Sequence, residues 1–395
     1  MIRRMAIDNF KSLVGFELPK YPGSLPSFVC LTGLNGAGKT ALLQAFDFLA
    51  QLTRGQMKAW LVTRDWKASE LKSKFSKLQT IAFSLEIDLG EQGGVVVWSG
   101  SYNVAQSRCT SESLKRDGLA LFELSEGLLT FLDRKANKAT QLSVSALVYE
   151  GSVLTLVSLS QVAPAIEGFV RFMRGLKSLE LLSPHLIRRR SKESADVGYG
   201  GEKLSGFLHA LSPEQKGRLQ QKLHQFYPRL SAVETTGLRA GWKNLSAVEK
   251  FDGGTQGLVA VETDARHLND GMLRILAILA QAYSDHPVVL LDEIENGINA
   301  ELTGELVAAL LELAASGKQI IVTTHSPMIL NWLTEAQAGE SVFYLYRTSA
   351  GHTKVQRFFD FPGARQDLSL LGPGEVFANT SLTEAAQFFA SQGSL

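Results

Sequence analysis

The hydrophobic pattern changes period along the chain, and the changes mark its elements. Phe28-Val29-Cys30-Leu31 is a short apolar run suited to a strand buried on both faces, and Ala41 to Leu49 then carries apolar residues at helical spacing. Residues 1–32 read as short strands with a turn at Pro22-Gly23, and the basic, weakly periodic stretch 53–80 predicts loop and short helix. From Ile81 to Leu89 the alternation is strict. Ile81, Phe83, Leu85, Ile87 and Leu89 fall on one face, Ser84, Glu86 and Asp88 on the other, which predicts a half-buried antiparallel strand. Strand-like pieces at Val95–Val104, Leu119–Leu124, Leu128–Leu132 and Leu142–Tyr149 extend this into a β-meander. A helix over Pro164–Leu176 and a strand over Ser178–Leu182 follow. Ser212-Pro213-Glu214-Gln215 opens a further helix, with an N-cap and a proline at the first helical position. Residues 228–263 read as short strands broken by Gly237, Gly241 and Gly253-Gly254.

The C-terminal third is the most regular. It predicts a helix over Asn269–Tyr283, a buried strand Val288–Leu291, a helix Ala300–Ala315, a buried strand Gln319–Thr323, and a helical Pro327–Trp332. A hairpin of Val342–Arg347 with Lys354–Phe359 closes the series. Strands alternating with helices predict an α/β fold with a mainly parallel sheet flanked by helices, to which the meander adds an N-terminal antiparallel β subdomain.

The turn between the first buried strand and its helix carries the chemistry. Gly33-Leu34-Asn35-Gly36-Ala37-Gly38-Lys39-Thr40 matches the P-loop pattern at every fixed position, in the strand–turn–helix context that the pattern requires. Backbone N–H groups of Asn35, Gly36, Ala37 and Gly38 curl around a polyphosphate, and the helix directs its positive end at the same charge. In that pattern Lys39 would reach the β- and γ-phosphates and the Thr40 hydroxyl would ligate Mg²⁺. Asp292-Glu293 stands at the carboxyl end of a buried strand, where open α/β sheets bind ligands. Asp292 suits Mg²⁺, usually through water, and Glu293 suits the attacking water; alone, such a pair is also an ordinary solvated strand end. His325, in Thr323-Thr324-His325-Ser326, can bond a γ-phosphate or its attacking water, or simply cap the helix at Pro327. Leu268-Asn269-Asp270-Gly271-Met272 starts a helix whose N–H groups can meet an anion; its plain reading is a capped helix.

Composition excludes more than it selects. With 395 residues, 45% hydrophobic and 20% charged, the chain is an ordinary globular one with room for two or three domains or one core with an insertion. Two cysteines give neither a disulfide framework nor a metal set, and no apolar run has the length of a membrane span, so the expectation is a cytoplasmic protein with no membrane contact. The net charge of +1 leaves any nucleic-acid surface local. Between Arg171 and Lys192 seven basic residues face Glu180 alone. A DNA contact through Arg188, Arg189 and Arg190 is one reading of that excess; arginines paired with acids elsewhere in the fold is the other.

In order along the chain, Ile7–Ser12, Gly33–Thr40, Leu268–Gly271, Leu291–Asn299 and Thr323–Pro327 resemble the motifs of ABC-type ATPases of the SMC and RecF superfamily. The likeness is greatest to the AAA-like ATPases related to the OLD (overcoming lysogenization defect) proteins, and Gly201-Glu202-Lys203-Leu204 resembles a further short family stretch. The resemblance implies an ABC/SMC-head-like P-loop ATPase. Its parts would be an N-terminal ATPase lobe at 1–160, a helical and basic insertion at 161–230, a C-terminal lobe at 231–348, and a tail at 349–395. It also implies a nucleotide site that includes Lys11 and Ser12, with ATP and Mg²⁺ as cofactors. Thr40 and Asp292 would hold the metal, Glu293 act as base, His325 as switch, and Asn269-Asp270-Gly271 as a signature acting in trans in an ATP-dependent homodimer.

Departures from the family are Asn269 for serine, Ile294 for proline and Asn299-Ala300 for His-Pro, and no Gln stands in the Q-loop region Ser183–Arg188. No heptad run of arm length is present, and about seventy residues follow His325, too few for the OLD nuclease domain. The reading is therefore an ATP-hydrolysing switch for a separately encoded effector such as a nuclease, in bacterial anti-phage defence. Its alternatives are a RecF-like DNA-repair ATPase, a transporter motor subunit, and a nucleotide-gated scaffold with little turnover.

Overall fold

Alternation of apolar and polar positions pleats the first part of the chain into one antiparallel sheet. In the computed structural model, which describes residues 1–91, 93–133, 139–254 and 257–392, the chain divides into two units. The first comprises Met1–Leu176, Glu335–Leu371 and Asn379–Leu395; the second comprises Lys177–Thr334 and Gly372–Ala378.

In the first unit the strands lie in the order Phe16–Leu18, Ile2–Asp8, Thr80–Asp88, Val95–Asn103, Arg108–Arg116, Leu119–Ser125, Leu128–Leu132 and Ala139–Ser143. Each neighbouring pair is antiparallel. Ile81, Phe83, Leu85 and Ile87 are buried, as their period demands. The strand Arg108–Arg116 is absent from the sequence-based meander because its buried face includes Glu112, which breaks the apolar alternation. That carboxylate accepts from Trp98 Nε1 at 2.9 Å, Ser152 Oγ at 2.5 Å and Val153 N at 2.9 Å. Burial raises its pKa against the pull of these donors. The expected strand Leu142–Tyr149 is corrected to Ala139–Ser143. Beyond it Val144 N bonds Gly127 O, and Tyr149 Oη donates to Cys109 O at 2.6 Å, so the chain has left the ladder.

The helix Lys39–Arg54 buries Leu42, Leu43, Phe46 and Leu49, each stabilising the unit by about 1.5–3 kcal/mol. It stops at Gly55, whose φ of 68° forms a left-handed cap bonded to Gln51 O. Phe48 on this helix meets Phe10 and Tyr102, each at 5.2 Å between ring centroids. The strand Phe28–Thr32, buried at every position, runs parallel to Val342–Arg347, which forms a hairpin with Thr353–Arg357. In the tail, Phe389 packs on Tyr346 at 6.0 Å, so this part of the chain folds back on its own unit.

The second unit holds a parallel ladder of Lys177–Leu179, Val288–Leu291 and Gln319–Thr323. The helices Asp270–Leu279 and Thr303–Ala315 bury Leu273, Leu276, Leu306 and Leu310. Helix Pro213–Phe226 opens with the expected N-cap, and the structure completes it as a capping box in which Gln215 N reaches Ser212 Oγ at 3.2 Å and Ser212 N reaches Gln215 Oε1 at 2.9 Å. The region read as short broken strands is instead one antiparallel sheet of Leu230–Gly237, Trp242–Asp252 and Leu258–Asp264, with Ser191–Lys192 beside it. Gly241, Gly253 and Gly254 lie outside these strands, so they mark turns and not interruptions. The segment Gly372–Ala378 belongs here: Gly374 N donates to Asn331 Oδ1 at 2.8 Å. Among the described residues no helix is long and apolar enough to cross a membrane.

Candidate functional site

The P-loop takes its shape from glycines at positive φ. Gly36 has a φ of 76°, and a Cβ on Gly38, where φ is 108°, would stand 2.3 Å from Thr353 Oγ1. Lys39 is nearly buried, with Nζ curled back onto Gly33 O at 2.8 Å and Leu34 O at 3.4 Å. An ammonium bonded to backbone carbonyls can exchange them for phosphate oxygens, so the loop fits a polyphosphate. Asn35, Gly36 and Thr40 are exposed, as ligand-facing groups must be.

Residues that the pattern did not reveal brace this loop from the hairpin. Arg347 Nε donates to Gly36 O at 2.7 Å, and Thr353 Oγ1 bonds Ala37 O at 2.9 Å and Ser12 Oγ at 2.8 Å. Ser12 therefore reaches the loop through Thr353. Lys11 lies 3.5 Å over the Trp66 ring, and its Nζ bonds Gln44 Oε1, on the second turn of the P-loop helix, at 2.6 Å. More than 300 residues separate Arg347 and Thr353 from the loop (311 from Arg347 to Gly36), and no local pattern signals such a pairing.

In the second unit, Asp292 ends the strand Val288–Leu291 and is 4% exposed. Thr323 Oγ1 donates to Asp292 Oδ1 at 2.5 Å and accepts from Glu293 N at 2.8 Å, so one hydroxyl orients both acidic residues. Glu293 has a φ of 48°, a left-handed conformation costly for a residue with a Cβ. Its carboxylate is half-buried, with Asn296 Nδ2 at 3.5 Å. Ile294, where the family has proline, is fully buried and donates its N–H to Thr323 O at 3.2 Å, a bond proline cannot make.

His325 is held by Glu295. His325 N reaches Glu295 Oε1 at 2.9 Å and His325 Nδ1 the same oxygen at 3.1 Å, leaving Nε2 for another group. Arg274 is buried beneath the same turn. Burial pulls its guanidinium down to about 10, while Glu295, Glu293 and Asp292 nearby push the other way.

Asn269 caps helix Asp270–Leu279, its Oδ1 accepting from Met272 N at 2.7 Å, so the side chain is engaged in capping. Gly271 leaves no room for a Cβ, which would meet Gly297 O at 2.7 Å. Tyr227, Asn269, Gly271, Gly297 and Asn299 line a recess of about 610 Å³ at this helix start. Asp270 is paired with Arg188, whose guanidinium also donates to Leu268 O at 2.7 Å. Arg188 of the basic run is thus paired with an acid. Arg190 Nε donates to Asn244 Oδ1 at 2.9 Å, and both Arg189 and Arg190 remain exposed.

The family described as "AAA domain, putative AbiEii toxin, Type IV TA system" matches residues 28–331. No curated protein matches the chain. Among solved structures, the SMC head bound to the C-winged helix domain of ScpA is similar over 90% of this chain and 96% of its own, at 14% identity and a TM-score of 0.55. The Smc head with an extended coiled coil, bound to the C-terminal domain of ScpA derived from Pyrococcus furiosus, is similar over 90% and 95%, at 11% identity and a TM-score of 0.51. These likenesses establish the fold as that of an SMC-type P-loop ATPase head.

Proposed function

The chain belongs to this AAA-domain family of P-loop NTPases, and from that premise we propose that it is an ATP-hydrolysing switch. Two copies pair on ATP, and the pair controls a separately encoded effector, a nuclease in our reading, in anti-phage defence. The observation that carries the proposal is Asp292, fixed by Thr323 at the end of a buried strand with Glu293 beside it, in a chain with a complete P-loop.

The roles follow from the chemistry of each group. Lys39 and the N–H groups of residues 35–38 bind the phosphates; Lys11 and Ser12 flank that site. Thr40 and Asp292 are the Mg²⁺ ligands, and the ion supplies charge neutralisation on the phosphates when bound. Glu293 takes the proton of the attacking water. His325, with Nδ1 committed to Glu295, presents Nε2 to the γ-phosphate as the sensor of hydrolysis. Asn269, Asp270 and Gly271 form the wall contributed to the second copy's nucleotide; with the Asn269 side chain engaged in capping, the helix N–H groups make that contact.

The toxin–antitoxin wording of the family description supports the defence setting. SMC heads bound to ScpA offer the precedent for a separately encoded partner. Any DNA contact falls to Arg189 and Arg190, since Arg188 is engaged. The test is Glu293→Gln with ATP and magnesium: turnover lost, ATP binding retained, and a stable pair on size exclusion with light scattering. A variant that hydrolyses ATP at the wild-type rate, or binds ATP and stays single, defeats the proposal.

A further inference from the structure

Arg274 is an unusual charge to find in a core. It is 5% exposed, yet its donors go to carbonyl oxygens and not to a carboxylate: Asp292 O at 2.8 Å, Glu293 O, and Leu181 O at 3.5 Å. Its Nε has no hydrogen-bond partner among the described residues, and neither has Glu295 Oε2. Desolvating a guanidinium for such partners is expensive, and a well-packed apolar side chain of that length serves stability at least as well. The turn it grips needs holding, because Glu293 occupies the left-handed region and that conformation lasts only where its surroundings over-determine it. Thr323 fixes the N–H of Glu293 and Arg274 its carbonyl, so the peptide groups on both sides of Glu293 are clamped.

We infer that Arg274 is a positioning residue that fixes the Glu293 backbone, and so aims the carboxylate that serves as base. It sits on helix Asp270–Leu279, whose first turn carries Asp270 and Gly271. The helix end that meets the second copy's nucleotide and the side chain that grips this copy's Glu293 thus sit on one helix. Arg188 secures the start of that helix through Leu268 O and Asp270. The inference rests on the proposed function for the identity of the reaction, while the clamp itself is local geometry.

The experiment compares Arg274→Met and Arg274→Lys with wild type in the full chain, reading kcat and KM for ATP, affinity for a fluorescent ATP analogue, and the thermal midpoint. Misaiming a base by about 1 Å costs up to ~100-fold. Arg274→Met is therefore expected to lose 10- to 100-fold in kcat, with KM and nucleotide affinity close to wild type. Arg274→Lys, which retains a donor for one carbonyl, recovers part of the rate. Unchanged kcat in Arg274→Met overturns the inference. So does a fall in kcat matched by loss of affinity and midpoint, which marks a merely structural side chain. If Arg274→Met fails to fold, Arg274→Lys decides: a folded protein with wild-type kcat overturns it, and a kcat defect at unchanged KM supports it. Wild-type protein without turnover sinks the proposed function and this inference together, whereas active wild type with an equally active Arg274→Met sinks the inference alone.

Discussion

Replacing Thr323 by valine removes one oxygen and keeps the shape. That oxygen is fully buried, donates to Asp292 Oδ1 at 2.5 Å, and accepts from Glu293 N at 2.8 Å. A bond to a charged acceptor contributes about 1.5–3 kcal/mol, and a buried N–H left without its acceptor costs about 1–3 kcal/mol. Because both act through one atom, we expect a combined loss of about 2–4 kcal/mol. Thr323→Ser keeps the hydroxyl and gives up one methyl, about 1 kcal/mol. The valine variant should therefore be less stable than the serine variant by about 1–3 kcal/mol, or ~3–10 °C in thermal midpoint for a unit of this size. The assay is thermal unfolding of wild type and both variants in one buffer, followed by the magnesium dependence of ATP hydrolysis. The valine variant should need more Mg²⁺ for half-maximal rate, because the carboxylate assigned to the ion has lost an orienting donor. A valine variant that melts at or above the serine variant would refute the reasoning, whatever its activity.

Gly38→Ala combines a φ of 108° with a Cβ 2.3 Å from Thr353 Oγ1, so it should abolish high-affinity ATP binding, read with a fluorescent analogue. Glu112→Gln sets an amide NH₂ among three converging donors and should destabilise by about 2–4 kcal/mol, measured as a lowered urea midpoint. Burial works against the Asp264 carboxylate, but the Arg266 N–H, the Arg266 side chain and the Asn244 amide outweigh it and hold its pKa at about 2. The folded value is depressed, so its contribution to stability is complete above about pH 4 and is lost as pH falls towards 2. Stability measured across that window should fall less steeply in Asp264→Asn than in wild type; equal slopes would contradict the assignment. Arg347→Ala, which frees Gly36 O, should weaken nucleotide binding with little loss of stability, since the guanidinium is exposed.

The polar network at Glu112 shows where reading by period fails. Its strand Arg108–Arg116 has the length and pairing of its neighbours, yet a buried acid occupies a position where the rule expects an apolar residue. The sheet of Trp242–Asp252 and Leu258–Asp264 fails the same rule in the opposite sense. Phe251, Leu258, Val259 and Val261 are exposed there, so polarity does not report the face. Both strand pairs are made by backbone ladders between segments that periodicity alone does not match.

What the chain settled unaided were the local relations: the P-loop between a wholly buried strand and an amphipathic helix, the N-cap at Ser212, the cap at Asn269, and the acidic pair after Val288–Leu291. Each depends on residues within a few positions of one another, where φ preference, capping and period act. Tertiary structure decided the partners: Arg347 and Thr353 behind the loop, Thr323 between Asp292 and Glu293, Glu295 on His325, Arg188 on Asp270, and Arg274 under the turn at Glu293. Those contacts join segments from 18 to 316 residues apart. A hydrogen bond depends on where two atoms finish in space, and spacing along a chain carries no record of that.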